Sequence, residues 1–353
     1  MLRLKNFMQS KLFIALVIGV VLALLTFPHY VFSFQSGIDP PLKWVFTHFA
    51  TNGFDGAQFL TFPHGPLAFL MYPLQETAVF TAIFTALIKI TCLLLMSKFY
   101  SKISFLDWVH IVLSAYLIFV FASFNQLLIA AVILSYLNYF QTESETYKLT
   151  GFLITAIALY VKSYVAILTG IITVIFILYY LWRKRQYWLT LLDFIILTGL
   201  FLAIWLFLFS SFDGFIDFFY GMMQLAQDNS AAAAYYPANN WWLLIVFILI
   251  VGILPFIQKS KKSIFFGILI VPSIFGAWKH GMAREDISHV NGLFTYILVV
   301  YLLFLLFEKK NRILNTFALT IGLYLFSLNA TNAVNYSTPV YKWIGVGNFF
   351  SLL

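Results

Sequence analysis

This chain is poor in the residues from which soluble proteins build their surfaces. Only 10% of its 353 residues are Asp, Glu, Lys or Arg, against about a quarter in an ordinary globular domain. That scarcity excludes a soluble domain of normal size. A single cysteine, Cys92, leaves no intrachain disulfide and no multi-cysteine metal site. Also missing are the glycine-rich phosphate loop of nucleotide hydrolases, the G-x-S-x-G nucleophile elbow and the H-E-x-x-H zinc pair. An enzyme reading must therefore use a carboxylate or a histidine, not a recognised nucleophile.

What the chain has in abundance is apolar sequence, 62% of all residues with a mean hydropathy of +0.92. Each helical span of a bilayer needs roughly 20 apolar residues, and about 17 suffice. Runs near 12–34, 77–97, 104–122, 125–140, 149–161, 163–182, 188–210, 241–257, 264–278, 292–307 and 313–329 predict about 11 transmembrane helices. The expected fold class is therefore all-α, a polytopic integral membrane protein whose single transmembrane domain covers 1–353. The first run is long and lacks a small-residue cleavage pattern after it, so it reads as a retained signal anchor.

The stretch 149–182 admits two readings, one overlong helix or a hairpin turning at Val161-Lys162-Ser163. Charge decides between them. With a hairpin, Arg3, Lys5 and Lys11, Lys98 and Lys102, Lys148, the run Arg183-Lys184-Arg185, Lys259, Lys261 and Lys262, and finally Lys309, Lys310 and Arg312 share one side. The positive-inside rule makes that side cytoplasmic, with the N-terminus cytoplasmic and the C-terminus outside. The formal charge of +8 is then mostly a topogenic signal, and nucleic acid is not an expected partner.

The other side holds the unusual connectors: 35–76, 211–240 and the short polar 279–291. Loops beyond about 12–15 residues are commonly functional. In the first, Pro40-Pro41 can open a helix, and Leu42 to Asn52 mixes apolar and polar residues as an interfacial helix does, with Trp44 and Phe49 as anchors and Lys43 and His48 toward water. Asp39, just before the prolines, either caps that helix or is held at the membrane surface for chemistry, and the two roles are compatible. Thr61-Phe62-Pro63-His64-Gly65-Pro66-Leu67 has the composition of a fixed turn re-entering the membrane; its His64 is either structural or a substrate contact.

The densest polar cluster is Lys279-His280-Gly281-Met282-Ala283-Arg284-Glu285-Asp286-Ile287-Ser288-His289. It is either a solvated loop whose charges pair locally or a place to hold an anion, because Arg offers a fixed fork of donors to phosphate oxygens. Tyr235 and Tyr236 precede Trp241-Trp242; they belong either to an aromatic belt or to a sugar or lipid site. Lys89, Asp107, His110, Lys162 and Asp193 fall within or near the spans, where ionisable groups are functional candidates unless they snorkel.

These residues resemble the C-type (GT-C) superfamily of polytopic glycosyltransferases, in which a first span leads to a long outer loop with an essential Asp near its start, an interfacial helix and a return into the membrane. Closer still is the resemblance to bacterial membrane proteins with a GLDPSW-like start, an FTYGPLG-like turn and a VRxDxHV-like loop. The matching stretches here are Gly37-Ile38-Asp39-Pro40-Pro41-Leu42, Phe62-Pro63-His64-Gly65-Pro66-Leu67-Ala68 and Ala283-Arg284-Glu285-Asp286-Ile287-Ser288-His289-Val290. Pro41-Leu42 stands where Ser-Trp would, Pro63-His64 where Thr-Tyr would, and one extra residue separates Asp286 from His289.

The resemblance implies a glycosyltransferase that moves a sugar from a polyprenyl-phosphate donor to a lipid-linked or cell-envelope acceptor at the outer face of the cell membrane. It implies Asp39 as the general base, with Arg284, Lys279 and His289 on the donor phosphate. His64, Asp286, Lys162, Tyr235 and Tyr236 are further substrate-binding candidates. No cofactor is demanded by the pattern, although some members of the superfamily use a divalent metal. The rival readings are a transporter or flippase of a lipid-linked or anionic solute, and a non-catalytic membrane subunit. A transporter is expected to show paired repeats and interrupted helices at the midplane; the sequence shows no convincing repeat, and its polar residues gather on one side.

Overall fold

A computed structural model describes residues 10–27, 39–54, 56–59, 63–72, 74–100, 103–232, 249, 251–284 and 287–308. Among them the structure is helical throughout, with one isolated β-bridge and no strand. The helices are α1 (Lys11–Leu25), α2 (Asp39–Asn52), α3 (Ala78–Lys98), α4 (Phe105–Phe121), α5 (Phe124–Thr142), α6 (Glu145–Val161), α7 (Ser163–Lys184), α8 (Tyr187–Phe209), α9 (Phe215–Ala232), α10 (Lys261–Arg284) and α11 (Ile287–Phe307). Short 3-10 turns at Ala57–Phe59, Pro66–Leu70 and Gln75–Thr77 fill the first connector.

Four stretches are long and apolar enough to cross a membrane: Ala78–Lys98, Ser163–Lys184, Tyr187–Phe209 and Lys261–Lys279. Shorter apolar helices occupy Lys11–Leu25, Phe105–Phe121 and Thr295–Phe307. Of the expected spans, 313–329 lies outside the described residues, as does most of 241–257.

The centre of the bundle is α5, in which every residue from Gln126 to Tyr139 is buried. It packs against α3, α6, α7, α10 and α11. Since apolar burial in lipid offers little drive for helix association, close packing and cross-helix hydrogen bonds set the register. Asn138 donates from its amide to Leu95 O at 3.0 Å, Gln126 to Gly292 O at 2.7 Å, and Tyr136 and Thr173 share a bond of 2.7 Å. At Gly151 the α6 backbone runs so close to the Tyr136 ring that a Cβ would lie 2.4 Å from it.

The helix ends form two unlike groups. One is lysine-rich: Lys11 donates to Tyr100 O, Lys184 meets Glu143 at 2.9 Å, and Ser260 donates to Glu308 at 2.6 Å. The other, the loop end, carries the 3-10 turns Ala57–Phe59, Pro66–Leu70 and Gln75–Thr77, the α6–α7 turn and the helix α9. The hairpin expected at Val161-Lys162-Ser163 is present as two helices broken at Lys162 alone.

Two connectors differ from their reading as loops. The segment 211–240 holds α9, because Phe215, Phe218, Phe219 and Met222 recur at helical spacing and bury one face on Tyr160 and Trp205. The polar segment 279–291 is divided between the last turn of α10 and the first turn of α11. The helical backbone of α10 thus continues past Gly281 to Arg284, beyond the point where hydropathy falls, while 285 and 286 lie outside the described residues.

Candidate functional site

The site grows from a helix break. α6 ends at Val161, Lys162 alone is extended (φ −160°, ψ 134°), and α7 begins at Ser163. Each helix end leaves backbone groups without an intrahelical partner, here the carbonyl of Val161 and the N–H of Ser163. The re-entrant turn takes both. Gly65 N–H donates to Val161 O at 3.1 Å, and Ser163 N–H donates to Pro63 O at 2.9 Å, with the Ser163 hydroxyl also donating to Pro63 O at 3.0 Å. The result is an antiparallel bridge between His64 and Lys162.

The composition of the turn follows from this docking. Gly65 lies so close to α6 that a Cβ would sit 2.3 Å from Tyr160 O. Pro63 and Pro66 have no N–H to leave unsatisfied and restrict the backbone on both sides; Pro66 also opens the 3-10 turn Pro66–Leu70, in which Ala68, Phe69 and Leu70 are buried.

α2 closes the other side of the turn. It begins at Asp39-Pro40-Pro41, where proline suits the first helical turn, and packs on the 3-10 turns 66–70 and 75–77. Phe46 and Thr47 face inward while Trp44 and His48 are exposed, so the amphipathic character expected of 42–52 is carried by Phe46 as much as by Phe49. The His64 ring lies between Phe46 and Tyr72, 5.6 Å from each ring centroid. Lys43 sits 5.4 Å from the Tyr72 ring centre, within cation–π range.

Both ring nitrogens of His64 are shielded from solvent. Burial first, and the neighbouring Lys162 charge second, hold its pKa near 3 instead of the usual 6.5. His64 is therefore a neutral imidazole at physiological pH, able to orient a polar group but not to hold an anion by charge. That task falls to cations, of which Lys162 stands at the start of α7, where the helix dipole adds positive potential.

The remaining candidates are distributed as follows. Asp39 is the first residue of α2 and Arg284 the last of α10, both helix ends belonging to the loop end; their side chains lie outside the described residues. Lys279 is exposed one and a half turns before Arg284. His289 lies in the first turn of α11, its side chain also outside the described residues, as are Asp286, Tyr235 and Tyr236 altogether. The structure thus brings His64 and Lys162 together and leaves Lys279 on the surface. Among the described residues no group of three His, Cys, Asp or Glu side chains converges as metal ligands would.

Ser163, Phe46 and Tyr72 join this site without having been singled out by sequence. Helical spacing puts Phe46 on the inward face of α2, but Ser163 gains its role only when a segment 100 residues earlier in the chain docks on it. Of the ionisable groups expected near the spans, Lys89 donates to Thr26 O at 2.6 Å and to Thr26 Oγ1 at 2.9 Å, closing the C-terminus of α1. Asp107 completes a capping box with Ser104, His110 meets Tyr100 at 3.2 Å, and Asp193 pairs with Lys148 at 2.7 Å. Each has a structural assignment.

Comparison with protein-family models, with curated proteins and with solved structures returns no match. The structure itself defines the class, an all-helical protein with several helices long and apolar enough for a membrane.

Proposed function

We propose that this protein is a multi-pass membrane glycosyltransferase that takes a sugar from a polyprenyl-phosphate donor and passes it to a lipid-linked or envelope acceptor at the loop end. In this reading that end faces outward and the lysine-rich end faces the cytoplasm. Asp39 removes the proton of the acceptor hydroxyl as its oxygen attacks the anomeric carbon. The bond from that carbon to the phosphate oxygen breaks, and the electron pair leaves on the lipid phosphate, where Arg284 and Lys162 offset the charge. Lys279 and His289 assist at the rim, and neutral His64 orients a sugar or phosphate oxygen.

The observation that carries this reading is the docking of Pro63-His64-Gly65 on the Val161-Lys162-Ser163 break. It joins a histidine and a lysine from distant parts of the chain at the end that also receives the start of α2 and the finish of α10. A long apolar tail suits such a site, since it can approach between helices while its phosphate stays at the interface. The test is mass spectrometry of polyprenyl-linked sugars and envelope glycan in cells expressing wild type or Asp39→Asn. Accumulated donor together with a missing glycan substituent supports transfer. Profiles equal to wild type, with the protein present and its deletion giving a phenotype, make Asp39 a helix residue only and favour a transporter.

A further inference from the structure

α9 lies in a segment whose composition predicts a loop, yet its described surface, 215–224, divides into three sectors. Phe218 and Met222 are buried against Tyr160 and Trp205, and Gly221 on the same side is also buried. Ile216, Tyr220 and Met223 form a second stripe at helical spacing that is open to the outside, with exposures of 78%, 62% and 65%. Asp217 and Gln224, exposed, form a third stripe beside it. One sector rests on protein, one is apolar and uncovered, and one is polar; that is the pattern of a helix lying in a membrane surface.

The apolar stripe does not stand alone. It continues the outer surface of α8, where Phe207 is 85% exposed, through Phe212 in the intervening turn at 55%. α8 is among the helices fit to span a bilayer, so the lipid that surrounds its end reaches the stripe without a step. The turn is held by Trp205, whose indole N–H donates to Ser211 O at 2.7 Å, and α9 packs on the Ala57–Phe59 turn of the first connector. With carboxylates and no cation on its described polar sector, α9 has nothing to attract anionic headgroups; its fit is to apolar lipid.

We propose that α9 is a membrane-surface helix whose Ile216, Tyr220 and Met223 are immersed in the acyl-chain boundary of the bilayer, while Asp213 and Asp217 remain in water. The proposal rests on the membrane reading of the chain but not on glycosyl transfer. α9 then ties the first connector, and the His64–Lys162 bridge beside it, to the level of the lipid headgroups.

The test uses the full chain carrying Cys92→Ser, reconstituted in phosphatidylcholine vesicles, with a fluorescent thiol label at Ile216→Cys, Tyr220→Cys or Asp217→Cys. All three positions are exposed, and the Cys92-containing chain serves as a second background because that thiol is buried. A nitroxide near the headgroup end of the lipid chain is expected to quench the labels at 216 and 220 several-fold more than that at 217. Dissolved iodide is expected to show the reverse order. Equal iodide quenching at all three positions overturns the proposal, since the stripe then faces water. Protection of 216 and 220 from both quenchers, with cross-links between two chains, also overturns it and assigns the stripe to a second copy. Activity does not enter the measurement, so failure here leaves the proposed transfer untouched, and failure of the transfer test leaves α9 untouched.

Discussion

The two ends of the bundle hold their cations in different ways. At the lysine-rich end several charges have partners on packed helices: Lys184 has Glu143, Lys148 has Glu145 and Asp193, Arg183 lies over Phe140, and Lys262 over Phe307. Most of these contacts join helices already packed side by side, and each rests on a side chain alone. At the loop end Lys162, His64 and Lys43 come from three separate elements, and main-chain hydrogen bonds assemble two of them. Charges that orient a chain in a membrane can be satisfied by whatever lies beside them; a binding site needs groups from different elements held in one geometry.

The comparison breaks most readily at Gly65. Gly65→Val would drive side-chain atoms into the Tyr160 carbonyl and is expected to undock the turn at a cost of about 3 kcal/mol, the upper range for overpacking. Gly170→Ala, with open space around it inside α7, should hold or slightly raise the melting temperature in detergent, since alanine favours a helix interior over glycine by up to about 1 kcal/mol. An unaltered melting temperature for Gly65→Val would mean that the turn is not seated on α6.

Lys162→Met sharpens the same contrast through activity. In the proposed mechanism it removes one cation from the donor phosphate and should lower sugar transfer about 10²-fold, as loss of a preorganised electrostatic group does, with unfolding little changed. Lys184→Met, in the same assay, should transfer sugar as wild type does. Equal activities for the two would remove the distinction between the ends.

Within the lysine-rich end burial sets the scale. Lys148 and Asp193 keep only 10% and 13% of their side chains exposed, so Lys148→Met leaves a shielded carboxylate and should cost about 3 kcal/mol. Lys184 and Glu143, at 30% and 50%, form an open pair worth at most about 1 kcal/mol. Paired denaturation curves of the two variants measure the difference.

Acid should separate the ends without mutation. The folded-state pKa of His64 is depressed, so its contribution is fully present above the unfolded value near 6.5 and is lost as pH falls toward 3. Glu143 is held below its ordinary 4.5 by the hydrogen bond and charge of Lys184, so its contribution begins to fall only near 4.5. Proteolysis of the 53–65 connector should therefore rise between pH 6.5 and 5, before the Lys184–Glu143 contact weakens. His64→Gln should abolish that early rise.

Several of these features were legible in the sequence, each through a local physical rule. Alternating basic connectors argued for a turn at Lys162, since an unbroken helix would have put lysines on both sides. Pro40-Pro41 announced the start of α2, and the spacing of Pro63, His64, Gly65 and Pro66 announced a constrained turn. Hydropathy does not announce α9, because Asp217 and Gln224 lie beside the apolar stripe of Ile216 and Tyr220 and dilute it without disturbing helical spacing. The pairing of His64 with Lys162 left no sequence signal, because it is made mainly by backbone N–H and C=O groups, which do not depend on the side chain.

By itself, then, the sequence determined a helical, membrane-suited chain, the break at Lys162 and the gathering of polar residues beyond one set of helix ends. Periodicity, charge asymmetry and the special backbones of proline and glycine act over a few residues and can be read there. Only the tertiary structure decided that the turn at Gly65 seats on the carbonyl of Val161, that Lys89 closes α1 at Thr26, and that α9 keeps an apolar stripe uncovered. Those outcomes depend on which helix ends are left with unpaired backbone groups and on which surfaces remain after packing, and both are settled only when distant segments meet.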